Sequence, residues 1–133
     1  MSGVELREMM QHDLASAAFG MIIERDDPGE SVVSMTVRED MTNGFRITHG
    51  GVVFTLADTA FALACNEDDE VTVAAGADIV FVKSTRVGAI LTAHATRRSR
   101  AGRAGVYDVT VTDETGDTVA EFRGRSLTTR RPH

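Results

Sequence analysis

Between Gly50 and Cys65 the chain places apolar side chains on every face of a helix: Val52, Val53, Phe54, Leu56, Ala57, Ala60, Phe61, Ala62, Leu63 and Ala64. Such a helix has no face to offer water and must be buried. The fold therefore has to supply a cover for it on more than one side. The rest of the chain supplies strands. Ser31–Arg38 alternates, with Val33, Met35 and Val37 on one face and Ser34, Thr36 and Arg38 on the other. Before it, Phe19–Asp26 is apolar and β-branched and closes on the turn Asp27-Pro28-Gly29, so the two segments read as a hairpin. After the helix, Val71–Lys83, Ala89–Thr96, Gly105–Thr112 and Val119–Leu127 all carry strand patterns separated by short turns.

About six strands with one helix inserted after the second, joined mostly by tight turns, predict an antiparallel sheet and the α+β class. A curved sheet wrapped around one long apolar helix satisfies the pattern. Leu6, Met9, Met10 and Leu14 approach helical spacing and predict a short amphipathic helix over Val4–Leu14. With 133 residues the chain is expected to be a single domain, residues 1–133.

Composition narrows the function classes. A single cysteine excludes an internal disulfide. No apolar run is long enough to span a membrane, and the first residues lack a signal-peptide pattern, so a soluble, cytoplasmic protein is expected. The net charge of −6 argues against nucleic-acid binding. That charge is unevenly spread. Residues 1–93 carry six Lys/Arg against fifteen Asp/Glu, while residues 94–133 carry eight Arg against five acids. The basic end leaves room for a smaller anionic ligand, since Arg can fork onto phosphate oxygens. The four histidines, His12, His49, His94 and His133, lack metal-ligand spacing, so neither a metal nor a cofactor is expected.

Asp58 is the one charged residue on the buried helix. A carboxylate is rarely buried without a partner, because desolvation is costly or shifts its pKa. Either Thr55, Thr59 or an interface partner satisfies it, or it works in a cleft, where perturbed groups concentrate. His49-Gly50-Gly51 falls at the helix start, where unpaired N–H groups face outward and glycine permits close approach. Those are the features of an oxyanion hole. They are also features of a simple tight turn. Spacing alone assigns no role to His49 or to Asn43, which sits in the Asn43-Gly44 turn.

The string Asn43…His49-Gly50-Gly51…Asp58, with Leu56-Ala57-Asp58-Thr59-Ala60, resembles the hotdog-fold acyl-CoA thioesterases and is most similar to their PaaI branch, named for phenylacetic acid degradation. Arg103–Val109 and Ala120–Ser126 share the likeness. The resemblance implies a hotdog fold and hydrolysis of acyl-CoA, with an aromatic acyl group such as phenylacetyl. It implies Asp58 as catalytic carboxylate, Gly50 as oxyanion donor, and His49 and Asn43 as residues that orient the thioester or water. It further implies a site shared between two subunits, hence a homodimer, and a tetramer built from dimers. Gly51 and Thr59, beside these positions, and Arg103 and Arg123, from the basic end, join the candidates for substrate binding.

Two departures from the family pattern are visible. Some relatives carry a Ser or Thr in the strand after the helix, where this chain has Ala74-Ala75-Gly76, and many carry an Arg-Pro-like pair where it has Lys83-Ser84. The rival readings are a hydratase or dehydratase of acyl thioesters on the same fold, and a non-enzymatic acyl-CoA binding module.

Overall fold

The computed structural model describes residues 4–133. Six strands follow in chain order: β1 (Ile22–Asp27), β2 (Glu30–Thr36), β3 (Glu70–Phe81), β4 (Ile90–Ala101), β5 (Ala104–Thr112) and β6 (Thr118–Pro132). They form one antiparallel sheet in the order β1-β2-β4-β5-β6-β3. Three short elements, α1 (Glu8–Gln11), α2 (Leu14–Ala18) and a 3-10 turn at Glu39–Met41, accompany the long helix α3 (Gly50–Cys65). The expected architecture is present: α3 lies in the concavity of the sheet and contacts all six strands.

The core is the seam between them. Leu56, Ala57, Ala60, Phe61, Leu63 and Ala64 of α3 are fully buried against Val33, Met35, Leu91, Ala93, Val109 and Val111 of the sheet. The alternation predicted for this segment holds, with Val33 and Met35 of β2 and Val37 just beyond it inward. Phe61 packs against Tyr107 and Phe122, with ring centroids 5.7 Å and 5.8 Å apart. Its ring lies directly over Gly124 of β6, where a Cβ would fall 2.7 Å from three ring carbons.

Two regions differ from expectation. The N-terminal helix is not continuous over Val4–Leu14. Arg7 is extended, α1 runs for one turn, and Asp13 restarts the chain by capping α2, accepting from the Ser16 N–H. Leu6 and Leu14 are exposed, so they form no buried stripe. Tertiary contacts decide this. The Arg7 guanidinium forks onto Asp26 at 2.7 and 2.9 Å and donates to the carbonyls of Asn66 and Leu63 at the end of α3. Those carbonyls have no partner within the helix, and a cation suits them.

The second difference is length. β4 runs on to Ala101 and β6 to Pro132, so Arg97, Arg98 and Arg100 lie in a strand rather than a turn. Continued pairing with β5, through an irregularity between Arg97 and Ser99, carries the polar residues along. On one side Arg97 and Arg100 close on Glu67 and Asp68. The carboxylate of Glu67 also accepts from the Tyr107 hydroxyl beneath it.

Gly124→Ala is expected to destabilise the fold by about 1–3 kcal/mol, because the buried Phe61 ring has no room to give way. Urea denaturation checks it: a lower midpoint at unchanged slope is the expected result.

Candidate active site

The loop before α3 is held from within. Asn43 accepts through Oδ1 from the Phe45 and Ile47 N–H groups, and its own N–H donates to the Ile47 carbonyl. Arg46 takes the left-handed conformation at φ 62°, and its N–H donates to the Asn43 carbonyl. Thr48 joins this loop to the segment after β3, by its N–H to the Thr85 carbonyl and by a 2.7 Å contact between the two hydroxyls. Asn43 thus fixes the loop that delivers the helix start. Phe45 projects from it, exposed.

His49 is the N-cap of α3. Its Nδ1 accepts from the Gly51 N–H at 2.9 Å, which places the ring proton on Nε2. Gly51 therefore spends its N–H inside the cap. The Gly50 N–H has no acceptor among the described residues. It opens to a cavity of about 270 Å³ bounded by Asn43, Thr48, Val53, Phe81 and Lys83. The Phe81 ring closes over Gly50, where a Cβ would stand 3.1 Å from it. One unpaired N–H at a helix N-terminus, in a partly apolar cavity, is suited to receive a developing oxyanion.

Asp58 lies two turns further along α3. It is half-buried, and no described residue hydrogen-bonds to it. The threonines beside it are occupied elsewhere: Thr55 donates to the Gly51 carbonyl, and Thr59, buried, shares a 2.8 Å contact with the Ser16 hydroxyl of α2. Neither satisfies the carboxylate. Desolvation raises the Asp58 pKa above the usual carboxylate value, with a further push from the charge of Asp13. Asp58 lines a second cavity of about 390 Å³ between α3 and β3. Ala74 of β3 is on its wall, and the one hydroxyl there, on Thr72, is paired with Thr128.

Two of the candidate arginines stand apart from both cavities. Arg123 forks onto Asp108 at 2.7 and 3.0 Å, beside a separate cavity of about 400 Å³ that includes Asp78 and Glu121. Arg103 donates to the Thr128 carbonyl at 3.4 Å. Lys83 is held between Asp113 and Asp117 at 2.5 and 2.9 Å. Sequence reasoning missed Arg7, whose role as the clasp of α3 has no local signal.

Residues 45–120 match the thioesterase superfamily. The chain belongs to this family. Its sequence is 42% identical to acyl-coenzyme A thioesterase PaaI of Escherichia coli over 118 residues, covering 89% of this chain and 84% of that one. The solved structure of the E. coli PaaI protein superposes with a TM-score of 0.90 at 40% identity, over 93% of this chain and 90% of that chain. A mutant of the phenylacetic acid degradation protein PaaI from Thermus thermophilus gives a TM-score of 0.83 at 33% identity, over 88% and 100%. The thioesterase fold here is the hotdog fold, α+β, as the resemblance implied. The match spans Gly50 and Asp58 and begins just after Asn43. No helix among the described residues is long and apolar enough to cross a membrane.

The raised pKa of Asp58 has a consequence for stability. A carboxyl whose folded-state pKa lies above its unfolded value is bound by protons more tightly when folded, so its ionisation costs stability as pH rises through that range. Asp58→Asn is therefore expected to raise the thermal midpoint at neutral pH. The gain should shrink and vanish as pH falls below the range where Asp58 ionises. Calorimetric scans of both proteins from neutral to acid pH check the sign.

Proposed function

We propose that this protein hydrolyses acyl-CoA thioesters to free acid and CoA, with Asp58 as general base or nucleophile and the Gly50 N–H as oxyanion donor. The observation that carries this reading is Asp58, an unpaired, half-buried carboxylate of raised pKa on the wall of a cavity. Unpaired carboxylates are costly, and an active site is where the cost has a use. The relatives named as acyl-CoA thioesterases supply the substrate class. An aromatic acyl group, phenylacetyl or a hydroxylated form, is the proposed preference, after the phenylacetic acid degradation protein it resembles. The enzyme would work in the cytoplasm, where acyl-CoA is made and used.

The geometry of α3 argues for a site shared between protomers. Gly50 and Asp58 are eight residues apart on one helix, which separates them by about 12 Å along its axis. They open to different cavities. They cannot meet on one thioester carbonyl within a single chain. A homodimer in which the α3 start of one protomer faces Asp58 of its partner brings them together, and a tetramer would be built from two such dimers.

In the proposed reaction the carbonyl oxygen rests on the Gly50 N–H. As general base, Asp58 takes a proton from water as that water attacks the carbonyl carbon. As nucleophile, its carboxylate oxygen forms an anhydride that water then opens. In both, negative charge gathers on the carbonyl oxygen, and the carbon–sulfur bond breaks to release the CoA thiolate. His49 holds the helix start by capping Gly51, and Asn43 holds the loop before it. Gly51 and Thr59 would support substrate by shaping the backbone around Gly50 and Asp58. Arg103 and Arg123 would meet CoA phosphates by exchanging their present partners.

Thiol release from a panel of acyl-CoAs tests the activity, with an enoyl-CoA included to expose a hydratase. Asp58→Asn is expected to lower kcat by about 10²–10⁴-fold. Gly50→Pro removes the N–H at a position where proline suits the first turn, and is expected to cost about 10²–10³-fold. Co-expressed, the two inactive chains should regain up to about a quarter of wild-type activity, the statistical share of mixed dimers with one intact site. No recovery from mixed dimers would overturn the shared site. Oxygen-18 from labelled water appearing in Asp58 after a single turnover would identify the nucleophile.

A further inference from the structure

We infer that Met9, fastened in place by the Arg7 clasp, forms the outer wall of the acyl pocket and limits the size of the acyl group accepted. This rests on the reading of Asp58 as the catalytic carboxylate. The cavity beside Asp58 is walled by Phe61, Ala62 and Cys65 of α3, by Val71 and Val73 of β3, and by Met9 of α1. Its polar atoms are mostly spent. The Asn66 amide donates to the Ala62 and Thr72 carbonyls and accepts from the Thr72 N–H, and the Thr72 hydroxyl is paired with Thr128. What remains to a ligand is a largely apolar chamber with Asp58 and His133 at its wall, suited to an acyl group whose carbonyl lies at Asp58.

The walls differ in how they are fixed. α3 sits in the core, and β3 is hydrogen-bonded along its length to β6. Met9 comes from a one-turn helix outside the sheet. It is partly buried and ends in a flexible thioether, the side chain that adapts most readily to what it touches. Its place is set two residues earlier. Arg7 ties this segment to Asp26 of β1 and to the carbonyls of Leu63 and Asn66, the helix end that the cavity abuts. Arg7 is thus a positioning residue, and the clasp sets how closely Met9 approaches the chamber. The same segment is pinned downstream by Asp13, Ser16 and Thr59.

The test compares kcat/KM for decanoyl-CoA and butyryl-CoA. Met9→Ala is expected to raise the decanoyl-to-butyryl ratio about tenfold, the scale of a changed apolar contact in a specificity pocket. Met9→Trp is expected to lower it. Arg7→Lys keeps the charge and loses the fork. It should shift the ratio in the direction of Met9→Ala, and the two together should give no more than Met9→Ala alone, since one acts through the other. A merely structural Arg7 would lower the thermal midpoint and leave the ratio unmoved. Ratios unchanged in both Met9 variants, or effects of Arg7→Lys and Met9→Ala that simply add, would overturn the inference. The same ratios are read from dissociation constants of non-hydrolysable 2-oxoalkyl-CoA thioethers of the two lengths. Absence of turnover in wild type would then count against the thioesterase reading, while binding still decides the wall.

Discussion

Helix α3 is apolar on every face and has to be shielded from water along its whole length. The sheet does most of this by curving around it, and residues from all six strands meet the helix. The demand for close contact explains local choices elsewhere. Gly124 is bare of a side chain because the Phe61 ring occupies the space a Cβ would need. Ser31, fully buried on β2, finds its partner in the Ala60 carbonyl of the helix itself. Backbone groups at the helix ends cannot be left orphaned in such a setting. His49 answers at one end and Arg7 at the other.

In the proposed function the same two ends frame the site. At the start, the cap consumes the Gly51 N–H and leaves that of Gly50 free. At the far end, the clasp pulls the N-terminal segment across the cavity beside Asp58. Structural satisfaction and functional exposure are therefore settled by the same side chains. Asp58 is the exception left unsatisfied. A half-buried carboxylate facing apolar walls, with Asp13 adding repulsion, is a local cost to folding. The fold tolerates it because the core elsewhere is well packed, with no buried side-chain polar atom lacking a partner among the described residues.

Much of this was legible in the chain. The bounds of α3, from Gly50 to Cys65, follow from where unbroken apolarity begins and ends. The alternation of Val33, Met35 and Val37 marked the inner face of β2 and of the residue that follows it. Asp58 and Gly50 stood out as a charge without a polar face and a glycine at a helix start. What misled was local. The spacing of Leu6, Met9, Met10 and Leu14 suggested one helix, yet only Met10 among them is buried, because Arg7 and Asp13 answer to distant partners and redirect the chain. The basic end of the chain left room for an anionic ligand, yet Arg97, Arg100, Arg123 and Arg125 are all paired with carboxylates.

The sequence by itself determined the buried helix, the antiparallel strands around it and the lone acid upon it, because each follows from short-range periodicity and from the cost of wetting apolar surface. Only the tertiary structure decided which polar groups are spent and which are free. That choice depends on pairs far apart in the chain, such as Arg7 with Asp26 and Leu63, or Thr59 with Ser16. A hydrogen bond is directional and short, so its partner is set by how the layers come together and by no pattern within either segment.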